Sequence, residues 1–386
     1  MKLLIVTNLF PNAAEPNRAI FNLQQYTALS RICELKIVSP VPLFKYSKNR
    51  VPDLEKINGI DVFHPRHIVI PKILRFTYGY LFFLGIWQTL VTIRQCFKYD
   101  LILATWGYPD AFGTAIAAKL LRKKFFVKVQ GSDINLAHQY WLRKPMIKWA
   151  VKRAEKVIAV SLPLKQKMIM MGVPEEKIVV IQNGVDTKKF YPRDKAVCRE
   201  KLGLDKTARY VLYVGNFAAV KGVSYLIKAF ALLVKDMNIK LLLIGDGEER
   251  AALIELAHSL GMSDRIVFVG RKPHQEVPEW MSAVDVFCLP SLNEGCPNVI
   301  LEALACGAKV VATNVGGIPD LIDTPEKGWL AKSKDPEDLA RCLEAALKAP
   351  VVTHAVATMS WDENAAMLYK VISKVPCAPN LDMPLV

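Results

Sequence analysis

Short apolar segments alternate with longer helical patterns along almost the whole chain, and this alternation constrains the fold more than any other feature. Each short segment is rich in Val, Ile, Leu or Phe without regular polar positions, which is typical of strands covered on both faces. Strands separated by helical segments predict βαβ units and parallel sheets. The predicted strands are Leu3–Thr7, Leu35–Ser39, Asp61–Phe63, Leu101–Thr105, Phe125–Val129, Val157–Val160, Ile178–Ile181, Tyr210–Val214, Lys240–Ile244, Ile266–Val269, Val286–Leu289 and Val310–Ala312.

The pattern of strands and helices restarts after Asn183–Asp186. Because 386 residues exceed what one ordinary core holds, the sequence predicts two Rossmann-like α/β domains that face each other across a cleft. We place the N-terminal domain at residues 1–190 and the C-terminal domain at residues 191–360. An amphipathic pattern over residues 361–375 predicts a final helix that closes the second domain or packs back on the first. Open α/β sheets bind ligands beyond the carboxyl ends of their strands, so we expect the functional site there.

The formal net charge of +15 is concentrated in the first half of the chain. Residues 1–190 carry 29 basic and 12 acidic side chains, whereas residues 191–386 carry 22 and 24. No aromatic stacking platform or recognition helix accompanies the charge, so we predict no nucleic-acid partner. The basic segments Arg122–Lys124 and Arg143–Arg153 instead suggest a face for an anionic membrane surface, although a solvated helix face would carry the same charges.

The eight cysteines of the sequence are spread along the chain without a C-x-x-C pair. Unpaired thiols in a large core indicate a reducing compartment, and we therefore predict a cytoplasmic protein. The histidines never join cysteines at the spacing of metal ligands, so the sequence predicts no zinc site.

One segment, Phe76–Ile93, is apolar for eighteen residues and is bracketed by Arg75 and Arg94. It only just reaches the length needed to cross a bilayer. Three interpretations stay open: a helix buried against a sheet, an interfacial helix that dips into lipid headgroups, and a membrane span.

The densest motif of the sequence is Ser291–Gly307, which follows a predicted strand and opens a predicted helix. Pro297 is well placed as the first helical residue. Backbone N–H groups at a helix N-terminus attract phosphate, and the helix dipole adds to this attraction. The residues that would supply these N–H groups are Gly295, Cys296 and Asn298, and Pro297 lies among them in the predicted donor site.

Two glutamates flank the start of this helix, Glu294 just before it and Glu302 inside it. A phosphate would repel a carboxylate, so each is better suited to accept hydrogen bonds from the hydroxyl groups of a neighbouring sugar. Alternatively, Glu294 caps the helix and Glu302 is a solvated helix residue.

Two further elements of the second half suggest phosphate binding. Gly215 and Asn216 end a predicted strand, and Lys221 follows at the mouth of the next helix, where its ammonium could neutralise a diphosphate. Gly245 and Gly247 form a third, weaker signal, because the sequence around them is not a full dinucleotide fingerprint.

In the first half, polar residues also follow two predicted strands. Gln130–Asp133 follows one strand, and Trp106–Asp110 follows the strand before it along the chain. Ordinary turns would explain the glycine and the proline in these segments. Polar strand ends in both halves nevertheless favour a site between them.

The residues above resemble family 4 of the retaining glycosyltransferases, which have the GT-B fold. The resemblance covers nearly the whole chain. It rests most on Glu294 and Glu302, separated by seven residues, and on further motifs that match the family. These are Asn183–Asp186 before Phe190, Lys221–Gly222, Gly245–Gly247 and Gly316–Asp320, with Tyr108–Asp110 and Gly131–Asp133 resembling members that assemble cell-surface polysaccharides.

The resemblance implies transfer of a sugar from a UDP- or GDP-sugar, with retention at the anomeric carbon and without a metal. Its acceptor would be a lipid-linked or polysaccharide glycan, which implies peripheral association with the inner face of the cell membrane. Lys221 would bind the donor diphosphate, Glu294 the donor sugar and Glu302 the ribose. Gln130 and Asp133 would position sugar or acceptor in catalysis, and contact with acceptor or membrane is assigned to Arg18, Trp106, Tyr108, Arg143 and Lys144.

Three positions depart from the family pattern. Asn216 replaces a basic partner of the lysine, Gln130 replaces a histidine, and Ala19 stands near a position usually held by glycine, where Arg18 could supply charge. The first two departures motivate a second hypothesis, a catalytically weakened relative that binds nucleotide sugars or glycans as an assembly partner. A nucleotide-sugar epimerase of the same fold is a third.

Overall fold

A computed structural model describes residues 1–43, 51–69, 75–135, 142–233, 238–350 and 358–374. The chain divides into two compact units. The first unit comprises Met1–Asn183 together with the segment that begins at Trp361, and the second comprises Gly184–Ser360.

The first unit contains an eight-stranded sheet in which neighbouring strands are parallel except for one antiparallel pair at the edge. Its strands run in the order β10-β9-β8-β7-β1-β2-β5-β4, and β3 pairs with β6 separately. The strands are β1 (Lys2–Val6), β2 (Glu34–Val38), β3 (Val41–Pro42), β4 (Leu54–Ile57), β5 (Ile60–Phe63), β6 (Arg66–His67), β7 (Leu101–Thr105), β8 (Lys124–Val129), β9 (Val157–Ala159) and β10 (Ile178–Val180). The helices are α1 (Ile20–Leu29), α2 (Tyr78–Phe97), α3 (Phe112–Leu120), α4 (Ser132–Asn135), α5 (Arg143–Arg153) and α6 (Leu162–Met170).

The long apolar helix α2 packs on its neighbours with one face. Phe82, Ile86 and Leu90 are buried, whereas Tyr80 and Leu84 on another face are 49% and 65% exposed. Gly79 and Gly113 permit close contact with α3, because a Cβ at Gly113 would lie 2.9 Å from the carbonyl oxygen of Gly79. Within the described residues, Arg75–Phe97 is the segment that length and composition alone would allow to cross a membrane.

The second unit contains a six-stranded parallel sheet in the order β13-β12-β11-β14-β15-β16. Its strands are β11 (Arg209–Val214), β12 (Ile239–Ile244), β13 (Ile266–Gly270), β14 (Val286–Leu289), β15 (Lys309–Thr313) and β16 (Trp329–Ala331). The helices are α7 (Lys195–Lys201), α8 (Val223–Leu233), α9 (Arg250–Ser259), α10 (Val277–Ala283), α11 (Asn298–Ala305) and α12 (Pro336–Lys348). Every strand predicted from the sequence is present, and β3, β4, β6 and β16 are additional.

The last described helix, α13 (Trp361–Ser373), belongs to the core of the first unit. Ala365, Leu368 and Ile372 are fully buried there, at the spacing of one helical face. The side-chain oxygen of Asn364 accepts a hydrogen bond from Gln25 of α1 at 2.5 Å. Of the two placements that the sequence left open, the helix takes the one on the first unit; position 375, its predicted end, lies outside the described residues.

The boundary between the units falls after Asn183, whereas the sequence placed it after position 190. The reason is local pairing within the second unit. The backbone N–H of Val185 donates to the carbonyl of Met359 at 2.8 Å, and the Phe190 ring packs against His274 with centroids 5.2 Å apart.

Candidate active site

In the second unit, the loops that follow β11, β12, β14 and β15 meet through glycine backbones. A Cβ at Gly245 would lie 1.8 Å from the carbonyl oxygen of Gly215, and one at Gly247 would lie 2.4 Å from that of Phe217. A Cβ at Gly316 would lie 1.9 Å from the carbonyl oxygen of Glu294. These positions exclude side chains, so the glycine motifs of the sequence bring the strand ends into backbone contact.

Lys221 and Glu294 form an ion pair at this junction. The ammonium nitrogen of Lys221 lies 2.6 Å from Oε1 of Glu294, and the Ser291 hydroxyl donates to the same oxygen at 2.7 Å. The loops are joined as well, since the N–H of Leu292 donates to the carbonyl of Val220 at 2.8 Å. The side chains are 30% and 10% exposed, so the pair is shielded but can be reached by a ligand.

The helix α11 begins one residue later than predicted, because Pro297 precedes it in an extended conformation. The N-cap residue Pro297 makes no side-chain capping hydrogen bond, and Oε1 of Glu294 is paired with Lys221. Cys296 is buried, Gly295 is half-buried in the loop after β14, and Asn298 is half-buried as the first residue of α11. The predicted phosphate-binding residues therefore lie together beside the Lys221–Glu294 pair.

Asn216 is exposed at the end of β11. Its carbonyl oxygen accepts a hydrogen bond from the buried Tyr213 hydroxyl at 2.9 Å, which fixes the backbone but leaves the side chain outside. Burial raises the pKa of Tyr213 well above its ordinary value.

Glu302 contacts His274, which in turn contacts Lys189, and neither residue was predicted from the sequence to belong to the site. Nε2 of His274 lies 2.9 Å from Oε1 of Glu302, and Nδ1 of His274 lies 2.6 Å from the ammonium of Lys189. Lys189 directly precedes Phe190 of a recognised motif, whereas His274 follows β13 in a segment without a motif signal. Glu302 is 13% exposed and is therefore not a solvated helix residue.

In the first unit, the buried carboxylate of Asp133 joins the loop after β7 to the loop after β8. Its carboxylate accepts N–H groups from Gly107 at 2.7 Å, Gly131 at 2.8 Å and Gln130 at 3.1 Å. Burial raises the pKa of Asp133, and these hydrogen bonds oppose the increase. The side chain of Gln130 donates to Asn22 at 3.2 Å. Asp133 thus shapes the loop through its backbone contacts.

Asp110 is fully buried beside the end of β1. It accepts the backbone N–H of Asn8 at 2.7 Å and the side-chain amide of Asn8 at 2.8 Å. Burial raises the pKa of Asp110 well above its ordinary value, the Asn8 N–H opposes the increase, and the Asp133 charge adds to it.

Tyr108 does not occupy the position expected of a residue that contacts acceptor or membrane. It is 8% exposed, its hydroxyl accepts the N–H of Gly79 at 2.9 Å, and that hydroxyl donates to the carbonyls that precede α2. Burial raises its pKa to about 12. The sequence located the strand end correctly but could not show that this ring turns inward. Trp106 is half-buried.

Arg18 is already paired, because its guanidinium lies 2.6 Å from Oε2 of Glu15. The neighbouring Ala19 has a left-handed backbone with φ of 48°, the conformation that glycine adopts at least cost. The loop therefore keeps a glycine-like geometry without a glycine.

The predicted basic segment forms α5, and its lysines share an exposed face. Lys144, Lys148 and Lys152 are exposed and recur every four residues. Arg143 is half-buried, with its guanidinium 5.5 Å from the centre of the Tyr108 ring.

Helix α5 lies close to the exposed end of α2 through a short series of rings. The Tyr80 and Phe112 centroids are 5.0 Å apart, and those of Phe112 and Trp149 are 5.4 Å apart. An exposed aromatic end and a row of lysines thus belong to neighbouring helices.

Metal-ligand chemistry is not evident in the part of the chain that the structure describes. No group of three or more His, Cys, Asp or Glu side chains lies in an arrangement that could hold a metal ion there. Nor does a disulfide join the cysteines of these residues.

Comparisons with known proteins cover most of the chain. A family model described as Glycosyl transferases group 1 matches residues 194–366, and one described as Glycosyltransferase Family 4 matches residues 40–189. The chain is 27% identical over 358 residues to the putative teichuronic acid biosynthesis glycosyltransferase TuaC of Bacillus subtilis (strain 168), with 89% of this chain and 88% of that protein covered.

Solved structures match over nearly the whole chain. Sucrose-phosphate synthase from Thermosynechococcus elongatus gives a TM-score of 0.79 at 21% identity, with 97% of this chain and 99% of that chain covered. Anabaena HepE in complex with UDP and glucose gives a TM-score of 0.76 at 21% identity, with 97% and 100% covered.

Fold and site define a two-domain α/β protein of the GT-B fold, as the sequence predicted. The chain carries a glycosyltransferase family 4-type domain followed by a glycosyltransferase group 1 domain. Names among its relatives connect this family to polysaccharide biosynthesis.

Proposed function

We propose that the protein transfers a sugar from a UDP- or GDP-sugar to a lipid-linked or polysaccharide acceptor, with retention of anomeric configuration. The observation that carries the proposal is the Lys221–Glu294 pair at 2.6 Å, half-shielded where four strand ends of the second unit meet. A cation and a carboxylate in one place suit a ligand with both a diphosphate and sugar hydroxyls.

When the donor binds, its contacts replace the contact between Lys221 and Glu294. Lys221 turns its ammonium from Glu294 to the diphosphate oxygens, and the released carboxylate accepts hydroxyl groups of the transferred sugar. Backbone N–H groups around Gly295–Asn298 lie at the start of α11, where the helix dipole stabilises negative charge. The carboxylate of Glu302 accepts hydrogen bonds from the ribose hydroxyl groups.

Stabilisation of the leaving nucleotide supplies most of the rate enhancement. As the bond to the anomeric carbon breaks, charge grows on the diphosphate beside Lys221. The acceptor hydroxyl attacks from the same face, and a diphosphate oxygen takes its proton. No side chain of the protein is assigned as a covalent nucleophile, and no metal is invoked.

The acceptor side belongs to the first unit. Lys144, Lys148 and Lys152 form one exposed face, and Tyr80 and Leu84 expose apolar surface on the neighbouring helix. Lysines beside exposed aromatic and aliphatic side chains suit a surface of anionic lipid headgroups. We therefore place the protein in the cytoplasm, peripherally bound to the inner face of the membrane.

Donor binding is tested with a panel of UDP- and GDP-sugars in thermal-shift and donor-hydrolysis assays. A bound donor at a hundredfold its Kd should stabilise the protein by about 2.7 kcal/mol. Slow nucleotide release that Glu294→Ala abolishes supports an enzyme, with the exposed Glu255→Ala as the matched control. Tight binding without turnover on any acceptor pool would instead favour an assembly partner.

Membrane binding is tested with vesicles that contain phosphatidylglycerol, compared with phosphatidylcholine alone. The wild-type protein should bind the anionic vesicles at low salt and leave them at high salt. Replacing Lys144, Lys148 and Lys152 with Gln should weaken binding by up to about 3 kcal/mol. The same change at the exposed Lys201, Lys206 and Lys332 of the second unit removes equal charge and should have little effect. Equal loss in both variants would contradict the assigned face.

A further inference from the structure

A linear series of three polar side chains ends on Glu302 in the second unit. Lys189 directly precedes Phe190 in the chain, and the ring of His274 packs against the ring of Phe190. Glu302 lies on α11. The two hydrogen bonds of the series measure 2.6 Å from Lys189 to Nδ1 and 2.9 Å from Nε2 to Glu302. His274 and Glu302 are 22% and 13% exposed, so neither group is freely solvated.

The donors and acceptors of the series have one consistent assignment. An ammonium group can only donate, so Nδ1 of His274 must accept from Lys189 and carries no proton. The imidazole is then neutral and holds its hydrogen on Nε2, where it donates to Oε1 of Glu302. Burial lowers the pKa of Lys189, while the charges of Glu302 and Asp186 oppose this and favour the ammonium.

This assignment occupies one carboxylate oxygen of Glu302. Within the described residues, Oε2 has no protein hydrogen-bond donor. A glutamate side chain has several rotatable bonds, and fixing it on binding costs conformational entropy. A carboxylate already fixed through Oε1 avoids this cost when Oε2 receives a ligand hydroxyl.

We propose that Lys189 and His274 are positioning residues that present Oε2 of Glu302 to the vicinal hydroxyl groups of the donor's ribose. Lys189 sets the tautomer of His274, and His274 sets the orientation of the carboxylate. The inference rests on the proposed function, because it takes the ligand to be a nucleoside diphosphate sugar. It adds two residues that contact neither the diphosphate nor the transferred sugar.

The test measures the Kd of UDP and GDP, and of the 2′,3′-dideoxy form of whichever binds more tightly. His274→Ala should weaken binding of the ribonucleotide about tenfold and leave binding of the dideoxy form unchanged. Glu302→Ala should show the same selective loss. His274→Gln, whose amide can both accept and donate, should recover part of the affinity. His258→Ala, at an exposed histidine of the same unit, is the matched control.

Lys189→Met removes the ammonium and keeps the imidazole ring of His274 in place against Phe190. It serves as the test if His274→Ala fails to fold. It should give a smaller loss that is again confined to the ribonucleotide. An equal loss for both nucleotides would assign a structural role to His274 and overturn the inference. Equal binding of ribo- and dideoxynucleotide by the wild-type protein would overturn it too, while the proposed function would stand. Failure of the wild-type protein to bind either nucleotide would contradict the proposed function itself.

Discussion

The two units place polar residues at the carboxyl ends of their strands, but they use them differently. In the second unit, Lys221 pairs with Glu294, and His274 pairs with Glu302, side chain to side chain. In the first unit, Asp133 and Tyr108 direct their polar atoms mainly to backbone groups. A ligand can replace one side chain of a partly exposed pair, whereas a carboxylate surrounded by backbone N–H groups is committed to the loop. Similar sequence signals therefore correspond to pairs of side chains in the second unit and to hydrogen bonds that hold loops in the first.

The largest expected effect comes from Lys221→Met in the second unit. Removing the ammonium while keeping most of the apolar stem should lower donor turnover about 100-fold or more, because leaving-group charge loses its stabilising cation. The loss of thermal stability should be modest, because the Glu294 carboxylate loses its counter-charge at 10% exposure but keeps the hydrogen bond from Ser291. Lys228→Met, at an exposed lysine, should leave turnover intact. Retained turnover in Lys221→Met would show that Lys221 does not bind the donor. The proposed difference between the two units, with ligand-binding pairs in the second and loop contacts in the first, would then be wrong.

The opposite result is expected for Asp133→Ala in the first unit. The N–H groups of Gly107, Gln130 and Gly131 lose their acceptor in a buried loop, so the free energy of unfolding should fall by about 3 kcal/mol. Urea denaturation measures this loss, with the exposed Asp264→Ala as control. UDP or GDP affinity should not change. A variant of unchanged stability would mean that the loop does not depend on this carboxylate.

The sequence predicts this architecture well because buried parallel strands are continuous apolar runs. It misses β4, whose residues are exposed or half-exposed, and the three-residue β16, because neither has such a run. At the site, the glycines and Lys221 are identifiable because close backbone contact and charge neutralisation require particular residue types. The inward turn of Tyr108 and the contact of His274 with Glu302 depend on tertiary packing, which spacing along the chain does not encode.

A smaller effect is expected for the pH dependence of stability at Asp110, a buried carboxylate of the first unit. Since burial raises the pKa of Asp110 in the folded state, the native protein binds more protons than the unfolded chain between the unfolded and folded pKa values. Stability contributed by this residue therefore falls as pH rises through that window. Asp110→Asn stays neutral, and the side-chain amide of Asn8 can flip to keep both hydrogen bonds.

Urea denaturation as a function of pH should consequently show Asp110→Asn gaining about 1 kcal/mol near neutral pH and nothing in acid. The exposed Asp264→Asn provides the reference profile. A variant that is less stable at every pH would show that the Asn8 contacts outweigh burial and hold the carboxylate ionised.

The smallest effect concerns the position where the second unit departs from its family pattern. Asn216 is exposed at the end of β11 with its backbone fixed by Tyr213, so a longer cation can be introduced without disturbing the loop. Asn216→Arg should tighten UDP or GDP binding about threefold to tenfold, because a second charge joins Lys221 at the diphosphate. The gain should shrink as salt is added, and Asn216→Gln should show none. If the arginine weakens binding instead, the diphosphate does not lie beside the end of β11, and the donor must occupy another part of the junction.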